Sequence, residues 1–213
     1  MRLHPYSRAA APPLQGHCGS CWTFSTVGAM EAHYILKHSQ AKNLSEQQLV
    51  DCAGAFNNFG CNGGLPSQAF EYLHYVGGHD TETVYPYTAK DGPCTYSGAG
   101  VAQVRAVNNI TAFDEIELQE AVGTYGPVSI AYQVSSDFRN YKEGVYDGVC
   151  QDQPEDVNHA VVVVGYGKQT PGGKYWTLRN SWGETFGMDG YFKMSRGKNK
   201  CGISDCASFP SVA

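Results

Sequence analysis

An α+β chain of two lobes is expected from this sequence. Apolar residues recur with helical spacing through the first hundred residues, strand-like apolar segments parted by Gly-rich turns fill the remainder, and the composition shifts near residues 100–110. The division reads as an atypical lead-in over 1–14, a mainly helical lobe over 15–107 and a mainly β lobe over 108–213, with a cleft expected where the lobes meet.

The lead-in ends Ala9-Ala-Ala-Pro-Pro-Leu14, without periodicity and with adjacent prolines, so no regular structure is expected there. From Cys21 to about Lys37, the residues Trp22, Val27, Met30, Tyr34 and Ile35 mark one long helix beginning at Ser20-Cys21. Ser45-Glu-Gln-Gln48 has the form of a capping box ahead of Leu49 and Val50 and opens a second helix. Pro66 suits the first turn of a third, which Gly77-Gly78 stops after Val76. Asp114-Glu-Ile-Glu117 opens a fourth, and strands are expected at Val128–Val134, Ala160–Gly165, Lys174–Arg179 and Tyr191–Met194.

The 213 residues carry 15 Lys+Arg against 20 Asp+Glu, a net charge of −5, with no basic run to neutralise a phosphate backbone, so nucleic-acid binding is excluded. The longest apolar stretch, His159-Ala-Val-Val-Val-Val-Gly165, is far short of the roughly 20 residues that cross a bilayer. Eight cysteines favour an oxidising route, to a lysosome or vacuole or to secretion. The acceptor sequons at Asn43 and Asn109 agree with glycosylation on that route. Met1-Arg-Leu-His-Pro5 has a basic start but no apolar stretch behind it, so no signal peptide is read there.

Chemistry concentrates in three segments. In Gln15-Gly-His-Cys18-Gly-Ser-Cys21-Trp22, a cysteine opens a long helix, where unpaired N–H groups and the helix dipole favour a thiolate. The plainer reading of any one cysteine in so Cys-rich a chain is half of a disulfide, and position argues against it for Cys21. Gln15 lies six residues upstream, placed to donate, together with the Cys21 N–H, to a developing oxyanion. His159 stands at the mouth of the most apolar strand and is the candidate base, although a lone histidine is more often structural. Asn180, in Arg179-Asn-Ser-Trp-Gly183, can orient its imidazole, and Trp182 can shield that bond from water. Gly63 and Gly64 expose backbone that can pair with an extended peptide, or form a plain turn. With Cys21 set aside, seven cysteines allow 105 arrangements of three bridges and a leftover.

These segments, with Gly60-Cys-Asn-Gly-Gly64 and Val157-Asn-His-Ala160, resemble the papain-like cysteine peptidases in motif, order and separation from Gln15 to Pro210. Ser45-Glu-Gln-Gln-Leu-Val-Asp-Cys52, Leu65-Pro-Ser-Gln-Ala-Phe-Glu-Tyr72 and Cys201-Gly-Ile-Ser-Asp-Cys-Ala-Ser-Phe-Pro210 resemble the cathepsin H and aleurain group within it. The resemblance implies a papain-like two-lobe fold, helical lobe against β-barrel-like lobe, with the active-site cleft between them. It implies a Cys21–His159 thiolate–imidazolium pair, Asn180 as orienter and Gln15 in the oxyanion hole. It further implies bridges Cys18–Cys61, Cys52–Cys94 and Cys150–Cys201, with Cys206 left over to hold a propeptide-derived peptide that favours aminopeptidase action. Leu65, Pro66, Val157 and Ala160 would line an apolar pocket, near Cys206, for the residue before the cleaved one, and Asn158 and Trp182 would also bind substrate. The implied partners are peptide or protein substrates, the chain's own propeptide and cystatin-type inhibitors, for a monomer that needs no metal or organic cofactor.

The chain departs from that pattern at its start, where the usual strand ahead of the cysteine motif is replaced by the Ala/Pro segment; lost packing that loosens Gln15 follows from this, and a catalytically impaired family member is the alternative reading it leaves open. His17 replaces a small residue and is expected to face solvent, and Phe186 replaces a tryptophan. No prosegment precedes Gln15, which reads as a mature form or an incomplete gene model. A rival of another class is a redox dithiol at Cys18-Gly-Ser-Cys21, which would need a preceding β-strand; an open-cleft endopeptidase is the rival within the family. A zinc module is weaker, because Cys52 and Cys61 make no second close pair.

Overall fold

The computed structural model describes residues 2–3, 13–98 and 100–213. A two-residue strand β1 (Arg2–Leu3) is followed by helix α1 (Cys21–His38), which enters from a tight turn and ends in a left-handed Ser39. Helix α2 (Glu46–Cys52) is capped by the Ser45 hydroxyl accepting from the Gln48 N–H. Only this arm of the capping box forms. The Gln48 side chain turns instead to accept from the Asp80 N–H and donate to the Tyr72 hydroxyl and Gly78 carbonyl, bonds across the lobe that replace the local one. Helix α3 (Pro66–Val76) starts on its proline and stops at Gly77, whose φ of 70° closes the end, as its sequence signals require.

The second half supplies β2 (Val104–Asn109), α4 (Glu115–Thr124), β3 (Val128–Tyr132), β4 (Val145–Tyr146), β5 (His159–Gln169), β6 (Gly173–Arg179), β7 (Tyr191–Ser195) and β8 (Ser208–Val212). Their order in the sheet is β2-β8-β3-β5-β6-β7-β4, antiparallel except for the β4–β7 pair. Strand β3 stops two residues before the expected Val134, because the Val134 N–H is taken by the Asn158 side chain and that of Gln133 by the Cys201 carbonyl. Strand β5 runs four residues beyond the expected Gly165. Its far end pairs with β6 as a hairpin, and a register shift between Val163 and Gly165 absorbs Val164 as the extra residue. That extension outruns β3, and β1 fills the vacant edge, pairing Leu3 with Gly165 and Arg2 with Tyr166. The lead-in therefore contains a strand where none is expected; the rest of its first twelve residues lie outside the described ones.

Two apolar cores result. One gathers Trp22, Met30, Leu44, Leu49, Phe70 and Leu73 of the helical half. The other gathers Leu118, Ile130, Tyr132, Phe138, Trp176 and Phe192 of the β half. Strand β5 is buried on both faces, which explains its run of four valines: Val161 and Val163 enter the β core while Ala160 enters the helical one. Helix α1 lies directly on this strand. A Cβ on Gly28 would stand 3.1 Å from Val162, the Ser25 hydroxyl donates to the Val161 carbonyl at 2.7 Å, and Ser129 donates to the Ser25 carbonyl at 2.9 Å. These contacts, one turn along from Cys21, fix the start of α1 against the start of β5.

Candidate active site

A cleft of about 580 Å³ lies between the two halves, and Cys21, His159, Gln15 and Trp182 all line it. Cys21 is the first residue of α1, whose first turn holds no carboxylate to repel a thiolate and no side-chain cap to occupy its N–H groups. Burial pushes the thiol up from its ordinary value, and the backbone N–H groups of Ala160, Trp22 and Cys21 itself pull the other way. His159, 7 % exposed, opens β5. Burial holds its imidazolium down to about 4, against the hydrogen bond to Asn180 that favours the charged ring. Neither group charges readily alone. Charge can appear on the pair when one proton passes from sulfur to ring, each ion then stabilising the other in a poorly hydrated cleft.

The tautomer follows from the bonding. The Ser181 N–H donates to Asn180 Oδ1 at 2.8 Å, which identifies that atom as oxygen; His159 Nε2, 2.8 Å from the same oxygen, must then carry a proton. Nδ1 is left for the thiol. Trp182 stacks on the imidazole at 4.9 Å and 29°, and its other contacts are edge-on to Phe186 at 4.8 Å and Phe138 at 6.1 Å. Phe186 therefore fills the position of the expected indole as a wedge behind Trp182. Tyr132 also meets the imidazole edge-on.

Gln15 is not loosened. Its N–H donates to the Ser181 carbonyl at 3.0 Å, its carbonyl accepts from the Tyr87 hydroxyl at 2.8 Å, and Gly183 N–H donates to the Pro13 carbonyl beside it. Its side-chain oxygen accepts from Ser181 Oγ at 2.6 Å, and its amide nitrogen donates to the Cys18 carbonyl at 3.1 Å, leaving one amide hydrogen unused. The bridge between Leu14 and Trp182, like the pairing of β1 with β5, ties the lead-in to the β half. His17 is exposed, as expected.

The wall opposite His159 is built around Trp22, whose indole N–H donates to the Gly60 carbonyl. Gly64 lies against that ring and Gly19 against the Cys61 carbonyl, so neither position has room for a Cβ. Gly63, Gly64 and Leu65 line the cleft, and the N–H and C=O of Gly64 take part in no hydrogen bond among the described residues. Val157, Asn158 and Ala160 line it from the β half. Pro66 and Cys206 do not: Pro66 is buried at the start of α3, and Cys206 is a half-buried thiol raised by burial and by the neighbouring Asp205 carboxylate. Sequence reasoning missed Ala131, Val134 and Arg139, which also line the cleft, and Ser181 and Tyr87, which hold Gln15. Ser181 was within reach of the motif reading; the others carry no local signal.

Disulfides join Cys18 to Cys61, Cys52 to Cys94 and Cys150 to Cys201, the pairing that the resemblance implies, and leave Cys21 and Cys206 free. Cys18 is thus bonded away from Cys21, which removes the redox dithiol. Asn43 and Asn109 are exposed.

The family described as papain family cysteine protease matches residues 8–211. The thiol protease aleurain of Arabidopsis thaliana is 60% identical over 201 residues, covering 93% of this chain and 56% of that protein. Pro-cathepsin H of Medicago truncatula is 58% identical over 201 residues, with 93% and 57% covered. Among solved structures, digestive procathepsin L 3 of the Tenebrio molitor larval midgut superposes with a TM-score of 0.89 at 38% identity, covering 95% of this chain and 66% of that one. The chain spans about half the length of the curated relatives it matches.

Proposed function

Since this chain belongs to the papain family of cysteine proteases, we propose that it hydrolyses peptide bonds by acyl transfer through Cys21. The observation that carries this reading is one cleft holding a helix-start thiol, an imidazole fixed by Asn180, and a glutamine amide with an unused hydrogen. The Cys21 proton passes to His159 Nδ1 as sulfur attacks the substrate carbonyl carbon. The Cys21 N–H and Gln15 amide donate to the oxyanion. The carbon–nitrogen bond then breaks, with the leaving amine taking the proton from His159. Water gives a proton back to His159 as it attacks the thioester, and the carbon–sulfur bond breaks to restore the thiolate. No step calls for a metal or an organic cofactor.

The finer reading is a cathepsin H-like aminopeptidase. Cys206 would hold a short peptide cut from the propeptide, whose terminal carboxylate takes the substrate's free α-amino group, with Leu65 and Val157 shaping the neighbouring pocket. The relatives named for cathepsin H and aleurain support it. The further expectations are a monomeric glycoprotein modified at Asn43 and Asn109, made with an inhibitory propeptide and blocked by cystatin-type inhibitors, in a lysosome or vacuole or secreted. The test compares a fluorogenic arginine amide bearing a free α-amino group with the same residue in an N-blocked dipeptide, under mildly acidic reducing conditions. Preference for the free amine, abolished by Cys21→Ala, is expected; preference for the blocked substrate assigns an open-cleft endopeptidase instead. Activity unchanged in Cys21→Ala overturns the mechanism.

A further inference from the structure

The cleft is almost without charge. Of the described side chains that line it, only Arg139 carries a permanent one. It sits in a single 3-10 turn (Phe138–Asn140) whose first residue, Phe138, is fully buried between Tyr132, Phe192 and Trp182. That anchor fixes the turn while the arginine itself stays exposed. The nearest carboxylate in the chain, Asp137, is occupied by the Ser135 hydroxyl at 2.5 Å and the Tyr146 hydroxyl at 3.0 Å. Arg139 makes no ion pair among the described residues. A rigidly based, unpaired guanidinium facing a cleft is an anion receptor, because its planar fork matches a carboxylate and is weakly hydrated.

Its place along the cleft says which part of a substrate it meets. Arg139 stands at the end marked by Trp182, through the Phe138–Trp182 contact, and Trp182 in turn stacks on His159. Gly63, Gly64, Leu65 and Val157 line another part of the wall. Under the peptidase reading, on which this inference rests, those residues take the acyl part, and the amine that receives the His159 proton departs past Trp182. We propose that Arg139 is a specificity-determining residue that recognises a carboxylate on the leaving-group side of the scissile bond, within about two residues of it. The carboxylate is supplied by an acidic side chain or by the free C-terminus of a short peptide.

Binding to Cys21→Ala protein tests this without turnover. Calorimetric affinities are compared for Arg-Glu-Ala-amide, Arg-Gln-Ala-amide and Arg-Gln-Ala with a free carboxylate. One or both acidic peptides are expected to bind roughly three- to tenfold tighter than the neutral one at about 20 mM salt, with the margin shrinking severalfold near 0.5 M. Which acidic peptide gains distinguishes side chain from terminus. Adding Arg139→Gln should erase the margin, and Arg139→Glu should move it to a lysine-bearing peptide. Equal affinities, no binding of any peptide, or a margin that survives Arg139→Gln overturns the proposal. Turnover of the neutral peptide by the protein with Cys21 intact reports on the peptidase reading separately: a margin without turnover sinks that reading and supports Arg139, whereas turnover without a margin does the reverse.

Discussion

Gln15 is held by backbone and side chain alike, and the Ser181 hydroxyl is the contact that decides which end of its amide faces the cleft. Without that donor the amide can rotate and present oxygen, not nitrogen, to a developing oxyanion. Ser181→Ala is therefore expected to lower kcat roughly tenfold with little change in KM, and Gln15→Ala to lower it roughly a hundredfold. The double variant should be no slower than Gln15→Ala, because Ser181 acts through Gln15. Steady-state kinetics decide this, and an additive double variant would mean that Ser181 acts elsewhere. Asn180 works by the same logic, since the Ser181 backbone N–H fixes its oxygen toward His159. That Gln15, His159 and Asn180 come together was legible because the motif places each beside a recognisable neighbour. Tyr87 was not, because it reaches Gln15 across seventy-two positions of sequence.

The helical wall of the cleft depends on close approach. A Cβ on Gly64 would stand 2.7 Å from the buried Trp22 ring and press on the Asn58 amide oxygen that accepts from Leu65. Gly64→Ala should cost about 2 kcal/mol and raise KM for extended substrates, while Gly54→Ala, with open space around it, should stay within about 0.5 kcal/mol. Thermal melts and KM values check both, and equal melting of the two variants would show that the wall can give way. Helices α1 and α3 were readable because their signals are local: an apolar stripe along each, and for α3 a proline at its start and a glycine at its end. Strands β2 and β8 were not. Each finds its partner a hundred residues away, and β4 has only two residues with which to announce itself.

Across the whole molecule, buried titratable groups pull stability in opposite directions. Burial lifts the Glu31 carboxyl to about 7 and that of Glu46 well above its usual range, so both hold a proton more tightly folded than unfolded. Their contribution is complete below about pH 4.5 and is lost as pH rises above it, for Glu31 by about pH 7. His79 and His159, held down to about 4, do the reverse, losing theirs as pH falls from about 6.5. Glu31→Gln keeps an acceptor for the Leu44 N–H but cannot ionise. Relative to the parent it should gain about 2 kcal/mol between pH 5 and pH 7.5, roughly 4–8 °C in Tm. A difference that stays flat across this range would mean that Glu31 is ionised in the folded chain beside Arg179. Strand β5 sets a further bound on how the molecule comes apart. Because its faces belong to different cores, melting either one strips a valine face bare and pulls at the histidine that begins the strand. Cys21 and His159 thus share a single unit of cooperativity, and a half-melted chain keeps neither of them in place.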